Sequence, residues 1–447
     1  MKISLDAIRP CFEGVVPSIL ATCDAAGIPN VTYVSQVHYV DASHVALTFQ
    51  FFNKTRENIL ANPQATLFLL HPETSARYRL ALLYRRTECE GPLFESMKAK
   101  LSAIASHSGM SGVFRLQGSD VYQVLDVEQV PGVEVAVPPA IQRSRMTALR
   151  AMVPRVVSST DLATLLERTL AGLEAEFGFR HAMILFADAH RLYTVASRGY
   201  AQSGIGSEFP LGRGVIGVAA QYRTPIRIAH MTSEYSYGRA IREHVAGAGL
   251  DDLLETAIPF PGLPEPHSQL AVPVIAANRL LGVLHVESPE AQRFTWEDED
   301  ALVTIAGLLG EAVLALQHAA DSSEDAARES AVKPEVGGSP LAVRHYARND
   351  SVFLGEDYLI KGVAGAILWR LLNLYVKEQR TEFSNRELRL DSALKLPDVD
   401  DNLEARLILL QKRLAERDGA IVIEKTGRGR FRLAVRRPLL LQEVDGR

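Results

Sequence analysis

The sequence predicts a multidomain α+β chain of three successive units: a small β-barrel, an α/β sandwich, and a unit of three helices with a hairpin. Three observations carry this. The chain has 447 residues, about three times the size of an ordinary domain. Two stretches break its composition. Gln129–Arg145 holds three prolines and a closing basic cluster, and Ala319–Pro340 is polar, small and glycine-rich; both read as linkers. Between these breaks the apolar period changes from alternation toward helical spacing. The units are therefore expected at 1–128, 146–318 and 341–437, with linkers at 129–145 and 319–340. There is no internal repeat.

Hydrophobic residues make up 47% and charged residues 23% of the chain, ordinary values that leave little room for long disorder. The net charge of −5 is too mild to mark the whole chain for nucleic acid or membrane, so such a signal must be local. The cysteines, Cys11, Cys23 and Cys89, are an odd, sparse set. They fit free thiols in a reducing cytosol and exclude a disulfide scaffold or a closely spaced zinc site. A redox or iron–sulfur role for Cys11 and Cys23 is the alternative. No basic segment leads into an apolar run at the N-terminus. No stretch reaches the roughly 18 apolar residues of a membrane helix, since the window Val303–Leu316 carries Glu311 at helical spacing. A cytoplasmic protein without a membrane segment or metal site is expected.

In the first unit, Val15–Thr22, Asn30–Tyr39, Val45–Phe52, Ala65–Leu70, Tyr78–Glu90 and Val113–Val127 read as strands. Asp24–Gly27 is a turn, and Asn53–Asn62 and Glu95–Ser106 are helices. Many strands with short helices indicate a small barrel. The junction before the first helix holds Gln50, Asn53, Lys54, Thr55 and Arg56. Two cations, a hydroxyl and exposed backbone N–H groups at a helix start suit a phosphate; a solvated helix start is the plain alternative.

The stretches LATCDAAGIPNVTYVSQV, VALTFQFFNKTRENILANPQATLFL and YRLALLYRRTECEGPLFESM resemble the pyridoxamine 5′-phosphate oxidase-like split barrel over most of residues 8–128. Members of that superfamily bind FMN, and often heme or deazaflavin, across a dimer interface. The resemblance implies that Lys54, Thr55 and Arg56, within the stretch Gln50–Arg56, hold the phosphate. Val34, Ser35 and Gln36 would then lie near the flavin ring. The arginine and histidine pattern of true pyridoxamine phosphate oxidases is missing at the C-terminal end, so vitamin B6 oxidation is not implied. Heme at His38, His44, His71 or His107 is the lesser alternative.

The second unit begins with a helix over Asp161–Phe177, capped by Ser159-Thr160-Asp161. Strands follow at Ala182–Asp188 and Leu192–Ser197, a short helix at Gly214–Gln221, and strands at Gln269–Val274 and Leu281–Glu287. A long helix, Glu297–His318, closes it. The segments FPLGRGVIGVAAQYRTPIRI and SQLAVPVIAANRLLGVLHVESPEAQRFTWEDEDAL are similar to the GAF domain over about residues 147–318. That family implies a small-molecule pocket over one sheet face. Its lid would lie between Ile228 and Pro266, with Tyr235, Tyr237, Arg239, Arg242 and His244 as candidate ligand residues for an anionic or aromatic molecule. Phe294, Asp298 and Glu299 match half of the cyclic-nucleotide motif, but Glu287-Ser288 stands where Asn-Lys should, which disfavours that ligand. With no cysteine in this unit, a thioether-linked bilin is excluded; His244 is a weak candidate for non-covalent heme.

In the third unit, short strands around Asp350–Leu354 precede helices at Gly362–Glu378, Ser384–Leu394 and Asn402–Arg417. A hairpin of Ala420–Lys425 and Arg430–Val435 follows, in the order of a winged helix. Between Asp401 and Arg437 ten basic residues face five acidic ones, the footprint of DNA contact. Asn402, Arg406, Gln411, Lys412 and Arg413 lie on the third helix, and Lys425, Arg428 and Arg430 on the hairpin, where they would reach bases and phosphates. The segment DNLEARLILLQKRLAERDGAIVIEKTGRGRFRLAV is similar to the winged helix of response-regulator effector domains. Glu404 lies where DNA would come close, and a winged helix used for protein contact is the alternative.

Together these readings predict a homodimeric, ligand- or redox-responsive transcriptional regulator that binds FMN, a small molecule and DNA. The rival is an FMN-dependent oxidoreductase regulated by its GAF domain, with the winged helix serving protein contacts. No catalytic residue is assigned.

Overall fold

The structure is a computed structural model and describes residues 3–12, 16–34, 36–50, 54–107, 116–136, 144–188, 191–229, 258–322, 337–391, 394, 403–417, 419–427 and 429–444.

The N-terminal unit is a seven-stranded antiparallel sheet. Its strands are β1 (Ser18–Cys23), β2 (Pro29–Val34), β3 (Val37–Asp41), β4 (His44–Phe49), β5 (Gln64–Leu70), β6 (Arg77–Glu88) and β7 (Gly118–Val130), in the order β2-β1-β5-β6-β7-β4-β3. Alternation places Leu20, Leu47, Leu67, Leu69, Leu80 and Leu82 in one core. The β1–β2 turn is closed by Asp24, whose Oδ1 accepts from the Ala26 and Ile28 amides at 3.0 and 2.9 Å. Gly27 there has φ +82°, a conformation that favours glycine. Helix α1 (Lys54–Ala61) joins β4 to β5, and α2 (Pro92–His107) joins β6 to β7. The run Asn30–Tyr39 is two strands, β2 and β3, at opposite edges of the sheet, where a single strand was expected.

The middle unit is a six-stranded antiparallel sheet. It comprises β8 (His181–Asp188), β9 (Arg191–Arg198), β10 (Glu208–Pro210), β11 (Ile226–Ile228), β12 (Ser268–Ala276) and β13 (Arg279–Ser288), in the order β10-β9-β8-β13-β12-β11. Period-two alternation splits its apolar residues between two layers. Ile184, Phe186, Val195, Val272 and Leu284 pack under α3 (Arg145–Val157), α4 (Leu162–Phe177) and α6 (Trp296–Ser322). Met183, Leu185, Leu192, Ala271 and Val283 pack under α5 (Gly214–Tyr222). Asp161 caps α4, accepting from the Thr164 amide at 3.0 Å, and Gly178 closes it at φ 70°. Ala99 of α2 joins the α5 layer, so the barrel reaches into this unit.

Helix α6 is more apolar than the sequence reading allowed: its window Trp296–Ala319 has a mean hydropathy of 1.5, enough by length and composition to cross a membrane. Its Ala301, Leu302, Ile305, Leu309 and Val313 are buried in the core, the behaviour of a core helix.

The C-terminal unit combines β14 (Leu341–Tyr346), β15 (Ser351–Leu354), β16 (Asp357–Ile360) and β20 (Leu439–Val444) in a four-stranded sheet, order β16-β15-β14-β20. Helices α7 (Gly362–Glu378), α8 (Asn385–Leu390) and α9 (Leu403–Ala415) follow β16, and β17 (Glu382–Ser384), β18 (Ile421–Gly427) and β19 (Arg430–Val435) form a second sheet, order β17-β19-β18. Helix α8 ends at Leu390, earlier than expected. Strand β20 lies beyond the unit's expected end at 437. One apolar core runs continuously from Leu166 and Phe186 of the middle unit to Leu368, Leu407 and Leu410 of this one.

Candidate functional site

A cavity of about 240 Å³ opens in the barrel between β1, β2, β4, β7 and the start of α1. Its chemistry comes from Thr48, Gln50, Thr55, Arg56, Asp120 and Tyr122. Alternation along β7 explains the last two: Asp120 and Tyr122 line the cavity while Val121 packs on the opposite face with Ala46 and Met97. The Arg56 guanidinium donates to Asp120 Oδ1 at 2.7 Å and lies 4.6 Å over the Phe49 ring. Both partners are nearly buried, at 13% and 8% side-chain exposure. The Thr87 hydroxyl donates to the same carboxylate, and Asn30 Nδ2 donates to Thr55 Oγ1 at 2.8 Å. Burial raises the Asp120 carboxyl above its ordinary range, against the pull of Thr87 and Arg56.

Of the residues expected at a flavin, Val34, Gln50, Thr55 and Arg56 line this cavity. Lys54 points elsewhere and pairs with Asp24 at 3.3 Å. Gln36 is buried, with its side-chain oxygen lacking a hydrogen-bond partner among the described residues. Ser35 and Asn53 lie outside the described residues. A cation, a hydroxyl and the first amides of α1 beside aromatic walls fit a phosphate-bearing aromatic group. Asp120 was not foreseen; an acid at an inward position of an alternating strand was its one signal in the sequence. Of the histidines weighed for heme, His38, His44 and His71 are not among the cavity lining, and the His107 side chain lies outside the described residues; His44 bonds Asp41, and His71 accepts from the Glu73 and Thr74 amides. His38 is at the seam with the middle unit, 3.5 Å from Lys100 Nζ. Cys11 is buried, which pushes its thiol up to about 12, the profile of an inert core cysteine.

In the middle unit, Tyr235, Tyr237, Arg239, Arg242 and His244 lie outside the described residues. Next to that segment is a buried polar cluster that sequence reasoning missed. Glu287 accepts from the Leu263 amide at 2.8 Å and from Gln269 Nε2 at 3.1 Å. His285 is 3.9 Å away and Tyr200 lies against the same carboxylate. The Phe294, Asp298 and Glu299 triplet is architectural. Phe294 packs edge-on to Phe179, Asp298 takes Arg145 of α3 at 2.7 Å, and Glu299 takes Arg227 at 2.7 Å.

The basic residues of α9 face inward. Arg406 donates to Asp188 at 2.9 Å and stacks 4.0 Å over Tyr193; Lys412 donates to the Val195 carbonyl at 3.1 Å. Arg413 binds the Leu359 carbonyl and Glu416, and Gln411 the Ile423 carbonyl. In this arrangement the four side chains expected to reach DNA are bonded to protein groups. Packing on the middle unit takes up Arg406 and Lys412, which charge alone assigned to DNA. Lys425 and Arg430 on the hairpin are exposed, with Lys425 3.6 Å from Glu404. Asn402 and Arg428 lie outside the described residues.

Comparison with known proteins agrees with the first two units. Residues 4–125 match the family model described as pyridoxamine 5′-phosphate oxidase, and residues 159–313 match the GAF domain. The chain thus carries a pyridoxamine 5′-phosphate oxidase-like N-terminal domain followed by a GAF domain. Among solved structures it is similar to the GAF domain of an Acinetobacter phosphoenolpyruvate-protein phosphotransferase, at 22% identity over 40% of this chain and 97% of that one, TM-score 0.31. It is also similar to free methionine-R-sulfoxide reductase from Neisseria meningitidis in complex with its substrate, at 19% identity over 41% and 98%, TM-score 0.31. An FMN-binding protein from Syntrophomonas wolfei subsp. wolfei is 15% identical over 29% and 87%, TM-score 0.25. No curated protein matches the chain.

Proposed function

We propose that this chain is a ligand- or redox-responsive transcriptional regulator. Its barrel holds FMN, its GAF domain senses a small molecule, and its C-terminal unit is a winged helix that contacts DNA. The observation that carries the reading is the placement of α9. The helix that bears the basic residues rests on the sheet of the GAF domain and shares its core, so a change in the sensor has a direct route to it. In the barrel, Thr55, Arg56 and the α1 amides would hold the FMN phosphate, with Asp120 orienting Arg56. Flavin, when bound, would supply electron or hydride transfer. Lys425 and Arg430 supply exposed cations for phosphates.

The second reading, an FMN-dependent oxidoreductase regulated by its GAF domain, is favoured by the same burial of α9, which suits a winged helix used for protein contact. Two measurements separate them. Added FMN should give a bound flavin spectrum near about 450 nm, lost in Arg56→Ala. DNA mobility shifts should weaken steeply with salt. Flavin turnover with NAD(P)H and no binding to any fragment of the parent genome would sink the regulator and leave the oxidoreductase.

A further inference from the structure

Resting on the DNA-binding reading above, we propose that duplex DNA and the β8–β9 hairpin of the GAF sheet are alternative partners for one face of α9. The arrangement described here is then the DNA-excluding state, latched by Arg406–Asp188 and Glu416–Ser203.

The face is a single stripe. Arg406, Leu409 and Lys412 recur every three residues, so they share one side of the helix, and Glu416 follows one residue past its end, its amide still donating to the Lys412 carbonyl. Each meets the GAF domain. Arg406 takes Asp188 and Tyr193, and Lys412 takes the Val195 carbonyl. Glu416 accepts from the Ser203 hydroxyl. Gly206 backs onto Leu409, where a Cβ would lie 3.8 Å from both methyls. Lys361 adds an ion pair to Glu208 of β10 at 3.2 Å. A B-DNA major groove about 12 Å wide admits one helix, and the GAF strands occupy the space the duplex would need. Contact is therefore exclusive.

The contact includes apolar core residues, Leu407 and Leu410 among them; it is the charged residues around that core that argue it is not permanent. A lasting interface is cheaper with apolar side chains, because cations lose hydration when buried. Arg406 is 7% exposed, and Lys412 donates its hydrogen bond to a neutral carbonyl with Glu167 and Glu416 nearby; burial lowers its pKa. Long cations kept on a covered face are what a face used uncovered requires. Lys425 and Arg430 stay exposed, so the docked chain retains a weak phosphate contact through the hairpin.

The test uses the full chain with Asp188→Lys, which repels Arg406, and separately Ser203→Glu, which repels Glu416. Neither substitution changes a residue of α9 or of the β18–β19 hairpin itself. Lys412 acylation, read by mass spectrometry, reports release, and a pool of random-sequence duplexes reports DNA affinity at two salt concentrations. Both variants should make Lys412 reactive, bind duplex about tenfold tighter, within the range of such couplings, and show a steeper salt dependence as more phosphates are engaged. If Lys412 stays protected in both variants, the latch is overturned. If Lys412 is released but wild type and variants bind duplex equally, exclusion is overturned while DNA binding stands. If Lys412 is released and none binds duplex, the DNA-binding reading itself falls.

Discussion

Asp120 and Arg56 form a nearly buried ion pair inside the barrel cavity, 2.7 Å apart, with Thr87 donating to the same carboxylate oxygen. A carboxylate in the slot assigned to a phosphate both orients the guanidinium and repels an anionic ligand. Asp120→Ala should therefore cost about 3 kcal/mol by leaving Arg56 without its counter-charge, read by urea unfolding. Asp120→Asn should raise FMN affinity by removing the negative charge, read by flavin fluorescence titration. Tighter binding to wild type than to Asp120→Asn would contradict the orientation of this site.

The same carboxyl has a pH signature. Burial holds it above its ordinary range in the folded chain, so the native state binds this proton more tightly than the unfolded one. Its contribution is fully present below about pH 4 and is lost as pH rises through the raised value. Wild type should gain stability relative to Asp120→Asn on acidification from neutral pH. The difference between their unfolding free energies at several pH values checks the sign.

Arg9 is held between two rings from different units. Its guanidinium lies 4.4 Å from the Tyr39 ring of the barrel and 4.2 Å from the Trp296 ring at the start of α6, and it pairs with Asp300 at 3.0 Å. Arg9→Ala should lose about 1–2 kcal/mol of coupling between barrel and GAF domain. Calorimetry should show the barrel melting separately and earlier in the variant. An unchanged single transition would remove this clamp from the account.

The same seam responds to acid. Burial would raise the Glu299 carboxyl, but Arg227 with Lys100 and Arg9 outweigh it and hold it below the usual range. A depressed carboxylate stabilises above its unfolded value and loses that contribution as pH falls through its folded value. Glu299→Gln should lower stability at neutral pH and flatten the acid limb below about pH 4. Thermal melts across that window would show it.

Glu287 fastens the segment that follows the undescribed part of the GAF domain. Its two oxygens take the Leu263 amide and Gln269. Glu287→Ala should cost about 2 kcal/mol, the scale of hydrogen bonds to a buried charge. Faster amide exchange should appear at residues 258–266 before it appears in β12 and β13.

Much of this was legible in the sequence because it is local. The apolar run Ala65–Leu70 marks β5, Asp24 and Gly27 mark their turn, and Asp161 caps α4. These signals act within a few residues. What was not legible depends on distant partners. Strand β20 pairs with β14 across the whole C-terminal unit, and nothing near Leu439 announces it. Arg406 and Lys412 read as DNA-contacting cations until Asp188 and Val195 are brought against them. Asp120 read as one more polar residue on a strand until Arg56 was placed beside it. Thr55 and Arg56 were found early because a helix start carries its chemistry with it.

The pairing of β14 with β20 is parallel, running from Leu341 beside Leu439 to Tyr346 beside Val444. Tension applied between residue 341 and residue 444 would slide these strands along one another and load all their hydrogen bonds together. An antiparallel pair pulled from its open end would instead unzip one bond at a time. A pull between these two ends would therefore meet its resistance at the β14–β20 pair in shear, yielding abruptly rather than bond by bond.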